Sequence, residues 1–179
     1  MTQEPTVLIT PEQIHKRVKE LGEAIVRDYR GKELLCVGVL KGSILFFADL
    51  IREIQLPLQI DFLGASSYGA GTLSSGVVKI TLDLSAPIAG KHVLLIEDIV
   101  DTGLTIRYLM ENLRLRKPAS IKLCSLLLKP SRLLYPIPVD YLGFSIDDRF
   151  IVGYGLDDVE YQRNLPYLGF IDAESPPVT

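Results

Sequence analysis

Apolar residues recur along this chain with two different periods. Ile14, Val18, Leu21 and Ile25 return every three or four positions, which predicts an amphipathic helix running to about residue 29. Thr10, Pro11 and Gln13 mark its start: a hydroxyl that can cap, a proline suited to the first turn, and a glutamine placed to complete a capping box. Residues 33–40 form instead a continuous apolar run, the pattern of a strand buried on both faces. A Lys-Gly-Ser turn at 41–43 leads into a helical segment, 44–54, with Ile44, Phe47, Ala48 and Ile51 predicted to face inward.

The same grammar returns further on. A strand at 93–100 runs into the turn 101–105, and Ile106, Leu109, Met110 and Leu113 set the period of the next helix. Arg114, Arg116 and Lys117 suit its C-terminal end, and Pro118 stops it. Residues 120–129 read as another buried strand, with shorter candidates at 139–144 and 150–154. Strands alternating with helices imply a mostly parallel sheet with right-handed crossovers. Segments 59–65 and 78–84 read as an antiparallel pair joined by a Gly- and Ser-rich stretch, 66–76. The pattern holds neither an internal repeat nor an interdomain linker. One α/β domain over residues 1–179 is expected, with a mobile loop at about 66–76 and a frayed tail at 173–179.

Composition narrows the class. Hydrophobic residues make up 47% of the chain and charged ones 23%, which excludes low-hydrophobicity disorder. The net charge of −3 argues against a dedicated nucleic-acid binder. No stretch approaches the ~18 consecutive apolar residues of a membrane span. Residues 1–10 lack the basic flank and apolar run of a signal peptide. Cys36 and Cys124 both lie inside apolar runs and are expected as buried free thiols, in keeping with a reducing cytoplasm. His15 and His92 have no paired Cys/His spacing, so a zinc site is not expected.

The candidate chemistry gathers at one strand end. In an open parallel sheet, ligands bind beyond the C-terminal ends of the strands. There Glu97 and Asp98 arrive side by side after four apolar residues. Two adjacent carboxylates repel, and burying either unpaired would cost several kcal/mol, so both are expected to face solvent, a metal or hydroxyl donors. Vicinal ribose hydroxyls would serve. Asp101, Thr102, Gly103, Leu104 and Thr105 follow as a turn opening a helix, where unpaired amides and the helix dipole favour an anion. Carboxylates for a ribose and amides for its phosphate describe a ribose 5-phosphate cradle.

The segment from Val93 to Thr105 resembles the phosphoribosyl pyrophosphate signature of the type I phosphoribosyltransferases, and Asp101 resembles the 6-oxopurine branch of that family. The resemblance spans about residues 8–170. It implies the family's fold: a central, mostly parallel sheet flanked by helices, a small hood and a flexible lid loop. It implies transfer of the 5-phosphoribosyl group from phosphoribosyl pyrophosphate to N9 of hypoxanthine or guanine, a purine salvage reaction dependent on Mg2+. Glu97 and Asp98 would contact the ribose hydroxyls, residues 101–105 would hold the 5′-phosphate, and Asp101 would take the purine N7 proton.

Further positions follow from the same resemblance. Leu40, Lys41 and Gly42, with a cis peptide at Leu40–Lys41, would bind pyrophosphate together with Arg163. Ser67 and Tyr68 would belong to the lid. Lys129 would read the purine O6, Phe150 would stack on the ring, Ile151 would contact its edge through backbone, and Asp157 would join Glu97 and Asp98 around the metal. Leu104 stands where some relatives place a lysine, and Ile151 replaces the usual valine. A homodimer or homotetramer is expected from the family. A nucleotide-sensing, RNA-binding regulator of the same fold is the alternative, but the acidic balance and the intact purine set argue for the enzyme.

Overall fold

The computed structural model describes residues 4–67 and 78–171. The predicted loop at 66–76 therefore falls almost wholly outside the described residues, as does the tail at 173–179.

The first helix, α1 (Pro11–Tyr29), forms where the periodicity places it, with Ile14, Val18, Leu21, Ile25 and Tyr29 buried. Its capping box is made: the Gln13 amide donates to Thr10 Oγ1 at 3.4 Å, and the Thr10 amide donates to Gln13 Oε1 at 2.8 Å. Ahead of it lies a short strand, β1 (Thr6–Ile9). The buried run becomes β2 (Leu34–Leu40), followed by α2 (Ile44–Glu53) and the antiparallel neighbours β3 (Leu58–Ser67) and β4 (Val78–Leu82). Next come β5 (His92–Val100), α3 (Leu104–Leu115), β6 (Ser120–Leu128) and β7 (Tyr141–Ser145).

The main sheet has six strands in the order β4-β3-β2-β5-β6-β7. Every pairing from β3 through β7 is parallel, and β4 alone runs antiparallel at one edge. Period-two alternation splits the central strands between two cores. Cys36, Leu94, Ile96, Cys124 and Leu126 point to the face covered by α1 and α2. Leu35, Val37, Val93, Leu95 and Leu123 point to the face covered by Ile106, Leu109, Met110 and Leu113 of α3. Both thiols are buried and free, and desolvation pushes the Cys36 thiol up to about 12, so it is inert at neutral pH.

Two expectations need correction. The buried face of α2 is Phe46, Phe47 and Leu50, whereas Ile44 is 39% exposed. Every residue of the first turn is apolar, so periodicity leaves the phase undetermined. Gly38 of β2 decides it, because a Cβ there would lie 2.9 Å from the Phe47 ring and 3.1 Å from the Phe62 ring. The two rings fill the space that this glycine leaves, with centroids 4.9 Å apart.

The segment expected as a strand at 150–154 is shorter, β8 (Phe150–Val152), and belongs to a second sheet. It pairs antiparallel with β9 (Leu168–Ile171), which pairs with β1, giving the order β1-β9-β8. Neither β1 nor β9 carries a periodic signal in four residues. This small sheet is the hood that the family resemblance implies.

Leu95 is fully buried in the central strand between β2 and β6. Replacing it by alanine is expected to destabilise the protein by about 2–5 kcal/mol, read as a lower urea midpoint at unchanged slope.

Candidate active site

The polar residues singled out in the sequence collect where the parallel strands end. Lys41 follows β2, Asp98 and Asp101 lie near and beyond the end of β5, and Lys129 follows β6. All these strands run the same way, so one edge of the sheet receives every loop.

Glu97 does not face solvent as expected. It is 8% exposed, and its Oε2 is buried without a hydrogen-bond partner. Burial first, then the neighbouring Asp98 charge, raises its carboxyl well above the usual range. Asp98 is only partly covered, and its Oδ1 accepts the Ile99 amide at 2.7 Å. Desolvation still pushes its carboxyl up to about 6, against the opposing pull of backbone amides and the Arg163 guanidinium.

The loop from Asp101 to Thr105 is built around Gly103, which caps α3 with φ +82°. That left-handed conformation suits glycine, and a Cβ there would also lie 2.6 Å from Ile137 Cδ1. Gly103 has no side chain to cap the helix, and Thr102 Oγ1 accepts the first amide, that of Leu104, at 3.4 Å. The amides of this helix start, together with Glu97, Asp101, Thr102 and Thr105, line a small cavity of about 90 Å³.

Asp101 sits in a box of alternating charge. Arg132 Nε donates to its Oδ1 at 3.0 Å, and Lys129 Nζ lies 3.9 Å from its Oδ2. Lys129, only 7% exposed, is closer to Asp148, at 3.3 Å, and Arg132 also approaches Asp148 at 3.8 Å. A lysine this buried is held by partners. Phe150, two residues beyond Asp148, opens β8 with its ring 53% exposed, while Ile151 is buried with its backbone in the hood pairing opposite Phe170. Phe150 offers an exposed flat ring, and Lys129 a donor held by Asp148 two residues before that ring.

The peptide Leu40–Lys41 is cis. Gly42 abuts Asp98 so closely that a Cβ would lie 1.6 Å from Asp98 Oδ2. On its other side Gly155, at φ +103°, presses on Gly42, and a Cβ at 155 would lie 2.0 Å from the Gly42 carbonyl oxygen. Arg163 is anchored by this loop: its Nη1 donates to the Gly155 carbonyl at 2.9 Å and its Nη2 meets Asp157 Oδ1 at 2.9 Å. Its Nε is buried without a partner. Ser67 ends β3, and Tyr68 lies outside the described residues.

Three participants escaped the sequence reading. Asp148 and Arg132 bracket Lys129, and Glu160 pairs with Lys41 at 2.8 Å. Single charges in polar loops carry no periodicity, so no pattern flagged them. Among the described residues, no group of three His, Cys, Asp or Glu side chains is arranged to hold a metal ion unaided.

Comparison with known proteins agrees with this geometry. The family model of the phosphoribosyl transferase domain matches residues 9–159. The hypoxanthine-guanine phosphoribosyltransferase of Bacillus subtilis is 50% identical over 165 residues, covering 92% of each chain. The hypoxanthine phosphoribosyltransferase of Haemophilus influenzae is 47% identical over 171 residues, 94% of this chain and 96% of the relative. The crystal structure of a hypoxanthine phosphoribosyltransferase from Staphylococcus aureus superposes with a TM-score of 0.89 at 49% identity, covering 93% of this chain and 90% of that one. The chain belongs to the phosphoribosyltransferase family, and within it to the hypoxanthine-guanine group.

The raised carboxyl of Asp98 gives stability a defined pH slope. Between the ordinary carboxyl value and about 6, the folded state binds more protons than the unfolded one, so stability falls as pH rises through that window. In metal-free, ligand-free buffer, melting temperatures are expected to drop from about pH 4 to about pH 6.5. Asp98→Asn is expected to flatten that drop, and an unchanged slope would show that Asp98 is not the group responsible.

Proposed function

We propose that this enzyme transfers the 5-phosphoribosyl group from phosphoribosyl pyrophosphate to N9 of hypoxanthine or guanine, giving the nucleoside monophosphate and pyrophosphate. The observation that carries the reading is the sequence of polar groups along one sheet edge. Two carboxyls, an anion-receptive helix start, an acid–base pair and an exposed aromatic supply between them a partner for the ribose, the phosphate and the base of a nucleotide.

Each part has a role in the protein's own atoms. Glu97 and Asp98 take the ribose hydroxyls: the orphaned Glu97 oxygen gains a partner there that it lacks in the free protein. The amides at the start of α3, with Thr102, Leu104 and Thr105, hold the 5′-phosphate. Lys129 donates to the purine O6 and so prefers a 6-oxo group, since adenine offers a donor at that position. Phe150 stacks on the ring, Ile151 contacts its edge, and Asp101 accepts the N7 proton as N9 attacks C1 of the ribose. Leu40, Lys41, Gly42 and Arg163 receive the departing pyrophosphate. Ser67 and Tyr68 belong to a lid over it, part of a single domain over residues 1–179.

The donor set suits magnesium. Glu97, Asp98 and Asp157 offer hard carboxylate oxygens, and among the described residues no three such side chains enclose an ion, as suits one that takes most of its ligands from substrate and water. When bound, it neutralises charge on the pyrophosphate leaving group. No helix among the described residues is long and apolar enough to cross a membrane. We place the enzyme in the cytoplasm as a homodimer or homotetramer. None of the relatives favours the RNA-binding alternative.

The direct test is pyrophosphate release with phosphoribosyl pyrophosphate, magnesium and hypoxanthine, guanine, xanthine, adenine, uracil or orotate offered separately. Turnover confined to 6-oxopurines is expected, and turnover with adenine or a pyrimidine would overturn the assignment. Asp101→Asn is expected to lower kcat by about 10²–10⁴-fold with an unchanged melting temperature. Near-normal turnover in that variant would remove its role as base.

A further inference from the structure

The two cations assigned to pyrophosphate already share an anion. Lys41 Nζ donates to Glu160 Oε2 at 2.8 Å, and Arg163 Nη2 lies 3.4 Å from Glu160 Oε1. One carboxylate thus spans two positive groups that sit far apart in sequence, one oxygen to each. Resting on the pyrophosphate assignment above, we propose that Glu160 is an internal competitor for the pyrophosphate group: it occupies these cations in the free enzyme, leaves when pyrophosphate binds, and returns to speed its release.

Three observations carry this reading. The first is the strength of the contact. Lys41 and Glu160 are 68% and 65% exposed, so their pair is of the weak surface kind, easily displaced by a phosphate that accepts charge-assisted bonds from both cations. The second is the backbone. Val159, Glu160 and Gln162 have φ values of +46°, +70° and +66°, a region that side-chain-bearing residues seldom adopt and a β-branched one least. Val159 is 81% exposed, so no buried contact explains its conformation. The loop is held by polar contacts instead, among them the Glu160 amide donating to Asp157 Oδ2 at 2.8 Å and the Glu160 carboxylate on Lys41 and Arg163. Backbone in such regions marks segments that switch.

The third is reserve capacity. Arg163 Nη2 also meets Asp157 Oδ1 at 2.9 Å, so the guanidinium keeps an anion when Glu160 leaves. An incoming pyrophosphate can therefore displace Glu160 while Asp157 still holds Arg163 in place. The same contacts in reverse give pyrophosphate a route out after transfer, a step that often limits turnover in closing active sites.

The test is calorimetric titration of magnesium pyrophosphate into the full chain, comparing wild type with Glu160→Gln and Glu160→Ala. A merely structural carboxylate predicts weaker binding on removal; a competitor predicts tighter binding. Both variants are expected to bind about three- to tenfold more tightly than wild type, as two exposed ion pairs no longer compete. The gap is expected to shrink as ionic strength rises from about 0.05 M to about 0.5 M, while affinity for the nucleoside monophosphate stays within about twofold. Equal or weaker pyrophosphate binding in both variants would overturn the proposal and leave the proposed reaction standing. Absence of pyrophosphate binding in the wild type would overturn both together.

Discussion

A strand buried on both faces that must carry two consecutive carboxyls near its end sets the terms for the rest of this site. Charge cannot be left unpaired inside the sheet, yet Glu97 lies at the edge of the core with one oxygen unpartnered. Desolvation accordingly raises both carboxyls above their ordinary values, that of Glu97 further through the charge of Asp98. Ligand hydroxyls or a cation favour the charged forms again, because each supplies a partner that burial withholds.

Ion pairs in the rest of the site share that logic. Asp101 is met by Arg132 and Lys129, Lys129 by Asp148, and Arg163 by Asp157 and Glu160. Asp101, Lys129, Lys41 and Arg163, all proposed to touch the substrate, each have an opposite charge as resting partner. The arrangement keeps the ligand-free cleft close to electrically balanced. It also makes substrate affinity a difference between two sets of contacts, so variants at the resting partners can change affinity in either direction.

Much of this was legible in the chain. The apolar run ending in Glu97 and Asp98, the Gly103 turn and the stripe on α3 each carry a local signal, and all three stand where expected. The capping box of α1 is likewise fixed by four neighbouring residues. What escaped depends on contacts between remote segments. The phase of α2 is set by the missing Cβ of Gly38 on another strand, and the hood joins β1 and β9 from opposite ends of the described chain. The burial of Glu97 escaped because sequence shows that two acids adjoin, but not that the neighbouring strands cover one of them. Glu160 and Asp148 escaped because an isolated acid in a loop reads as a solvated charge.

The contact between Gly42 and Gly155 has a consequence for how such chains can be recombined. Gly155 lies against the carbonyl of Gly42, and Gly42 in turn lies against the Asp98 carboxylate, so two loops and one strand from different parts of the chain meet with no room for a Cβ at 42 or 155. A hybrid spliced from the front half of one homologue and the back half of another can keep every active-site side chain and still fail if it alters this seam by a single methyl group. Crossovers that keep all three positions from one parent should survive best, which makes residues 42, 98 and 155 one unit of inheritance.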